Sequence, residues 1–304
     1  NYGDISVSEH ITQSRQGDEK IVNYSVDFSE ITHIMETALQ EGRDFLYEYE
    51  VYSLLSESGA ETVPNYFLVQ RNERISDEDL DRFSGDSIVL KIVSPQIMHK
   101  TEVQGVQIVE RQPDKIRSAI RRMMYEVPEH YAAWLERNRQ AVLPAYQGME
   151  GEELTTAIRK DITGVLLVQY MPPDSEAFGN ELIVSLRATR EFGMVITAGL
   201  GGTDTELYAK RFRKDQAVVT GSTKMHDGHS FFELFRRTIA YRKLAGLTRG
   251  QRRIVTDEQL IECFDSFIRM GNYYSLPENS TLQLGELEVK PFAYCDYLMI
   301  PLDG

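Results

Sequence analysis

The chain has 304 residues, 41% of them hydrophobic and 26% charged, and a formal net charge of −14. Such values suit a globular protein with one large domain or two, and they exclude a general nucleic-acid binder, whose target needs surplus Lys and Arg. No apolar run approaches the roughly 20 residues that span a bilayer. The only cysteines, Cys263 and Cys295, lack metal-ligand spacing, so a cytoplasmic, reducing setting without signal peptide or structural disulfide is expected.

Residues 1–43 are polar and weakly patterned and read as an N-terminal extension, with Gln13–Lys20 as an exposed loop. A helix is expected over about Asp44–Ser58, where Leu46, Tyr47, Val51, Leu54 and Leu55 share a face, and Gly59 suits its end. Asn65–Val69 reads as a strand, and Ser76 with Asp79 caps a short helix up to Phe83. Ile88–Val93 and Gly105–Glu110 are strands flanking a polar turn. The apolar spacing of Ile116, Ala119, Ile120, Met123 and Met124 predicts a helix over Asp114–Tyr125. The segment 127–163 around Trp134 reads as an inserted, charged helical piece, either a surface helix pair or a docking element. Strand signals return at Val165–Tyr170, Glu181–Leu186 and Met194–Ala198, the last leading into a Gly199–Gly202 turn. Ser230 with Glu233 and Thr256 with Gln259 match the capping-box pattern ahead of two apolar helices. Leu282–Val289 and Tyr297–Leu302 close the chain as strands. Strands and helices mixed without strict alternation predict α+β lobes rather than a doubly wound sheet.

Two features carry chemistry. Lys91 interrupts the apolar strand Ile88–Val93, and a buried ammonium needs a counter-charge. A phosphate is the functional candidate; the alternative is a stem packed in the core with its head at a surface carboxylate. His99 and Lys100 follow on a turn, where an unprotonated ring nitrogen can act as a nucleophile and the ammonium can offset phosphate charge. Gly199, Gly201 and Gly202 permit close main-chain approach to phosphate, or simply a tight turn. Glu181 and Glu206 flank them as ribose or metal ligands, or as solvated side chains. His10, His33, His130, His226 and His229 read as structural or exposed.

Five stretches in order resemble the ATP-grasp (β-type) portion of NDP-forming acyl-CoA synthetases: Leu46–Gly59, Leu90–Val106, Gly164–Met171, Glu181–Leu186 with Glu191–Gly202, and Gly285–Pro291 followed by Ile300–Gly304. The resemblance implies an ATP-grasp fold over 44–304, with a first lobe at about 60–163 and a second at about 164–304. It implies ATP/ADP and Mg²⁺, with His99 relaying phosphate, Lys100 assisting, and Lys91 and the Gly199–Gly202 loop clamping phosphates. Gln169, Tyr170 and Met171 would form the adenine hinge, and Glu288 and Asp303 would take the metal. The family's usual metal-binding asparagine is replaced by Lys290, a donor that cannot ligate Mg²⁺. The implied partners are the nucleotide and a CoA-binding ligase subunit or further domains, in an oligomeric assembly, with no nucleic acid and no membrane. Two alternatives stand beside this reading: a catalytically altered regulatory or structural subunit, and an ATP-grasp ligase that makes acyl phosphates without a histidine.

Overall fold

A computed structural model describes residues 24–59, 62–97, 99–172, 182–200, 217–248, 250, 252–275, 282–295 and 297–304. The period-two alternation of β2 (Ser87–Val93) organises the first lobe. Ile88, Leu90 and Ile92 enter one core, while Val89, Lys91 and Val93 belong to the opposite face. β2 pairs antiparallel with β3 (Val106–Glu110) and β4 (Gly164–Gln169), and β4 also pairs with β1 (Tyr66–Gln70), so the order is β1-β4-β2-β3. Because β4 is central and covered on both sides, every residue in it is buried, which explains its continuous apolar run. The second lobe is expected from about residue 164, yet β4 lies in the first sheet, so the boundary falls after it.

The short helix α3 (Asp77–Leu80) is capped by Ser76 and Asp79 as expected. α4 (Pro113–Arg137) and α5 (Gly151–Asp161) cover the first sheet. The sequence suggested a helix ending at Tyr125, but α4 continues through Pro128. Val127 is buried just before the proline, and Tyr131 and Leu135 extend the core face beyond it. Tyr146, Leu154 and Ile158 also enter this core, and the Tyr146 hydroxyl donates to Asp161 at 2.7 Å. The inserted segment, expected as a surface helix pair or a docking element, thus contributes to the lobe's interior.

The second sheet has the order β7-β6-β5-β8, all antiparallel, from β5 (Leu182–Thr189), β6 (Gly193–Leu200), β7 (Val218–Ser222) and β8 (Glu286–Val289). Packed in its core are α1 (Phe28–Gln40), α2 (Glu48–Glu57), α6 (Gly228–Phe235), α7 (Ile239–Leu244) and α8 (Asp257–Tyr273). α1 corrects the reading of residues 1–43 as an extension: Ile31 and Ala38 are buried on one helical face, and Asp27 caps the helix by accepting from Ser29 and Glu30. α6 is capped by Asp227 with Ser230 in the third position, not by Ser230 with Glu233. Thr256 caps α8 as expected. The terminal strands form a hairpin of β9 (Phe292–Cys295) and β10 (Leu298–Pro301).

α2 belongs to both lobes. Val51, Leu54 and Leu55 enter the second core, while Tyr52 packs with Val93, Leu166 and Val168 of the first sheet. The helix is therefore a wall of whatever lies between the lobes. Among the described residues no helix is long and apolar enough to cross a membrane.

Candidate active site between the lobes

Arg43 fixes the start of α2. Its guanidinium is buried, donates to both oxygens of Glu50 at 2.7 Å and stacks 4.3 Å from the Tyr47 ring. Glu50 in turn accepts from the Tyr47 main-chain N–H. This arrangement leaves Glu48, in the first turn, facing the space between the lobes, where the positive helix end favours its carboxylate.

The alternation of β2 brings Lys91 to the same space. Its ammonium donates to Glu48 Oε1 and, at 2.9 Å, to the Leu302 carbonyl oxygen. The Tyr52 hydroxyl lies 2.6 Å from Glu48 Oε1 and 2.7 Å from the same Leu302 oxygen, its one proton serving two acceptors. Lys100 Nζ is 3.5 Å from Glu48 Oε2, which has no hydrogen-bond partner although it is fully buried. Glu48 is thus the common counter-charge of both lysines. It is an internal carboxylate, not the surface one that the alternative reading of Lys91 required.

The turn after β2 delivers Lys100 and His99. Gly105 N–H donates to the Lys100 carbonyl at 2.6 Å, and a Cβ on Gly105 would stand 2.9 Å from both that oxygen and Ile92 Cγ2. Only glycine closes this turn without displacing β2. Together Glu48, Lys91, His99, Lys100, Glu102 and Asp303 line a cavity of about 630 Å³. Asp303 is exposed on the cavity, with the protein crowding one side of its carboxyl group. Loss of water raises its carboxyl pKa, Glu48 adds to the rise, and Lys91 and Lys100 oppose it.

Lys91, His99, Lys100 and Asp303, singled out in the sequence, therefore converge. Others do not. The exposed Glu288 lines a separate groove with Met35, Leu39 and Leu284, whereas Asp303 lines the Lys91 cavity. Among the described residues, no group of three His, Cys, Asp or Glu could hold a metal ion. Lys290 meets Asp303 through the main chain, its N–H donating to the Asp303 carbonyl at 3.0 Å. Gln169 spends its side chain on Ser84, accepting from that N–H at 2.9 Å and donating to that carbonyl at 2.7 Å. Tyr170 and Met171 are half-buried after β4 and do not line the Lys91 cavity. Glu181, Gly201, Gly202 and Glu206 lie outside the described residues.

Gly199 lies inside β6, paired with Ile183 and Val218, rather than in a turn. A Cβ there would come 2.4 Å from the Ala217 carbonyl oxygen, so close strand packing accounts for the glycine. Gly199→Ala is expected to lower stability by about 1–3 kcal/mol in urea unfolding without ligand. Unchanged stability with altered nucleotide affinity would assign the glycine to a ligand instead.

Sequence reasoning missed Glu48, Tyr52 and the Leu302 carbonyl. The available signal was Glu48 at the polar start of an otherwise apolar helix, but such glutamates are ordinarily solvated.

A family model described as an ATP-grasp domain matches residues 37–136 and 134–270. The beta subunit of ADP-forming acetate–CoA ligase I from Pyrococcus furiosus is 29% identical over 268 residues, covering 86% of this chain and 91% of that subunit. The ADP-forming acetate–CoA ligase of Methanocaldococcus jannaschii is 27% identical over 275 residues, which are 90% of this chain but 32% of that longer protein. The structure of Ca. Korarchaeum cryptofilum ACD1 in complex with coenzyme A matches with a TM-score of 0.62 at 25% identity, over 90% of this chain and 97% of that one. The dinucleotide-forming acetyl-coenzyme A synthetase 1 of the same organism, in complex with coenzyme A, Ca-AMPCP and HgCl⁺, matches with a TM-score of 0.60 at 27% identity, over 89% and 96%. With α+β lobes enclosing a lysine-lined cavity and the family model matched across both, this chain belongs to the ATP-grasp family and is homologous to the beta subunits of ADP-forming acetate–CoA ligases.

Proposed function

We propose that this chain handles the ATP half of an ADP-forming acyl-CoA synthetase reaction, moving phosphate between ATP and His99. Acyl-CoA and carboxylate would interconvert on a partner subunit or on further domains, in the cytoplasm. The carrying observation is the convergence of two lysines and a histidine on one cavity between the lobes of an ATP-grasp chain. Lys91 and Lys100 are held by Glu48 and can turn to phosphate oxygens, which offer the same charge-assisted bonds. His99, 54% exposed at the rim, can reach a phosphate in the cavity and also a partner approaching from outside.

Other roles rest on the resemblance: Gln169, Tyr170 and Met171 as the adenine hinge, mainly through main-chain groups, and Glu181, Gly199, Gly201, Gly202 and Glu206 around ribose and phosphates. The relative described with Ca-AMPCP supports a nucleotide carrying a divalent cation. Mg²⁺ would accordingly enter with the nucleotide, as part of the substrate. Among the described residues no three His, Cys, Asp or Glu side chains gather to hold a cation.

The test is phosphorylation of the chain by labelled ATP with Mg²⁺, or by a phosphorylated partner. Acid-labile, base-stable label is expected on the wild type and lost in His99→Ala. Label that persists in that variant overturns the relay.

A further inference from the structure

One stretch of α4 grips the loop that carries His99. His130 Nδ1 lies 3.3 Å from the Val103 carbonyl, the Tyr131 hydroxyl donates to the Gln96 carbonyl at 2.8 Å, and the Trp134 indole N–H donates to Glu102 Oε2 at 2.7 Å. Gln96 and Val103 bracket His99, so both arms of the loop are anchored to a single helix. The other Glu102 oxygen, Oε1, is 3.4 Å from His99 Nδ1, an electrostatic contact slightly longer than an N–H···O hydrogen bond that a small rotation of the ring would close. The Trp134 ring centroid is 5.1 Å from that of the imidazole, tilted by 33°, and Tyr131 stacks behind Trp134 at 5.9 Å and 17°. One ring face and the Nδ1 edge of His99 are therefore occupied, and the arrangement leaves Nε2 as the open nitrogen.

We propose that Glu102 and Trp134 are positioning residues for His99, holding its neutral imidazole as the Nδ1–H tautomer and so selecting Nε2 as the phosphoryl acceptor. A carboxylate at one ring nitrogen fixes the proton there and frees the lone pair on the other. The indole N–H donates to the second carboxylate oxygen, which favours the rotamer that keeps Glu102 beside the ring. In the transfer, the Nε2 lone pair forms the bond to the γ-phosphorus while the bond from that phosphorus to the β–γ bridging oxygen breaks. That electron pair leaves with ADP. The proton stays on Nδ1, and Glu102 offsets the positive charge that the ring acquires. This inference rests on the relay reading of His99, and it gives the carboxyl end of α4 a task at the site beyond packing the lobe.

The decisive measurement is long-range ¹H–¹⁵N correlation of histidine-labelled protein above the imidazole titration range, with the His99 signals assigned by loss in His99→Gln. Wild-type His99 is expected as Nδ1–H. Glu102→Gln and Trp134→Phe should shift it toward Nε2–H, and Glu102→Asp should restore the wild-type tautomer. Single-turnover phosphorylation by Mg-ATP should fall about tenfold to a hundredfold in Glu102→Gln, with the wild-type phosphate on Nε2. A wild-type Nε2–H tautomer, phosphate on Nδ1, or tautomers unmoved in both Glu102→Gln and Trp134→Phe would overturn the proposal. If the wild type takes up no phosphate, the relay reading fails, while the tautomer populations still decide the positioning.

Discussion

Glu48→Ala is expected to cost about 3–5 kcal/mol of stability, because it leaves the ammonium of Lys91 buried without its counter-charge. Lys91 is 9% exposed, and its other described partner is a carbonyl oxygen, which solvates but does not neutralise. The same substitution removes an acceptor from Tyr52 and the counter-charge of Lys100. Lys91→Met in the Glu48→Ala background should recover much of the loss, since removing both charges leaves a stem-sized apolar group between Val89 and Val93. The check is a double-mutant cycle by urea unfolding without nucleotide. A single-variant cost below about 1 kcal/mol, the range of exposed pairs, would show that Lys91 finds another partner. Failure of the second substitution to recover stability would locate the cost in Tyr52 and Lys100.

Leu135→Ala is expected to cost about 2–5 kcal/mol, the range for a fully buried leucine whose cavity only partly collapses. Leu135 is 1% exposed in the part of α4 that the sequence presented as an insertion. The adjoining Tyr131 and Trp134 hold the His99 loop, so hydrogen exchange should also rise across 96–105 in this variant. A surface appendage would behave differently: truncation would stay within about 0.5 kcal/mol and exchange in the loop would not change.

The elements with one clear period were legible from the residues. β2, β3, β4, β6 and α8 fall near their expected bounds, because alternation or a capped apolar face determines them locally. α1 was just as legible in principle, through Asp27, Ile31 and Ala38, but its polar surroundings masked a narrow apolar stripe. β7 carries two glycine-adjacent polar residues in Thr220 and Ser222, and it takes its strand form from pairing with β6 rather than from its own pattern. α4 outran its expectation because buried side chains beyond Pro128 outweigh the local cost of a proline.

The mixed elements pointed to an α+β chain, the resemblance of five ordered stretches pointed to the ATP-grasp type, and the residues singled out Lys91, His99 and Lys100, which line one cavity. A charged residue in an apolar strand and a glycine-closed turn are local signals that need no knowledge of distant neighbours. Only the tertiary structure decided what Lys91 is paired with, because Glu48, Tyr52 and Leu302 come from helix and terminus far along the chain. It likewise committed the Gln169 side chain to Ser84 and brought Trp134 to His99. The physical reason is the same in each case. Period and capping are properties of a few consecutive residues, whereas a buried counter-charge depends on which lobe faces which.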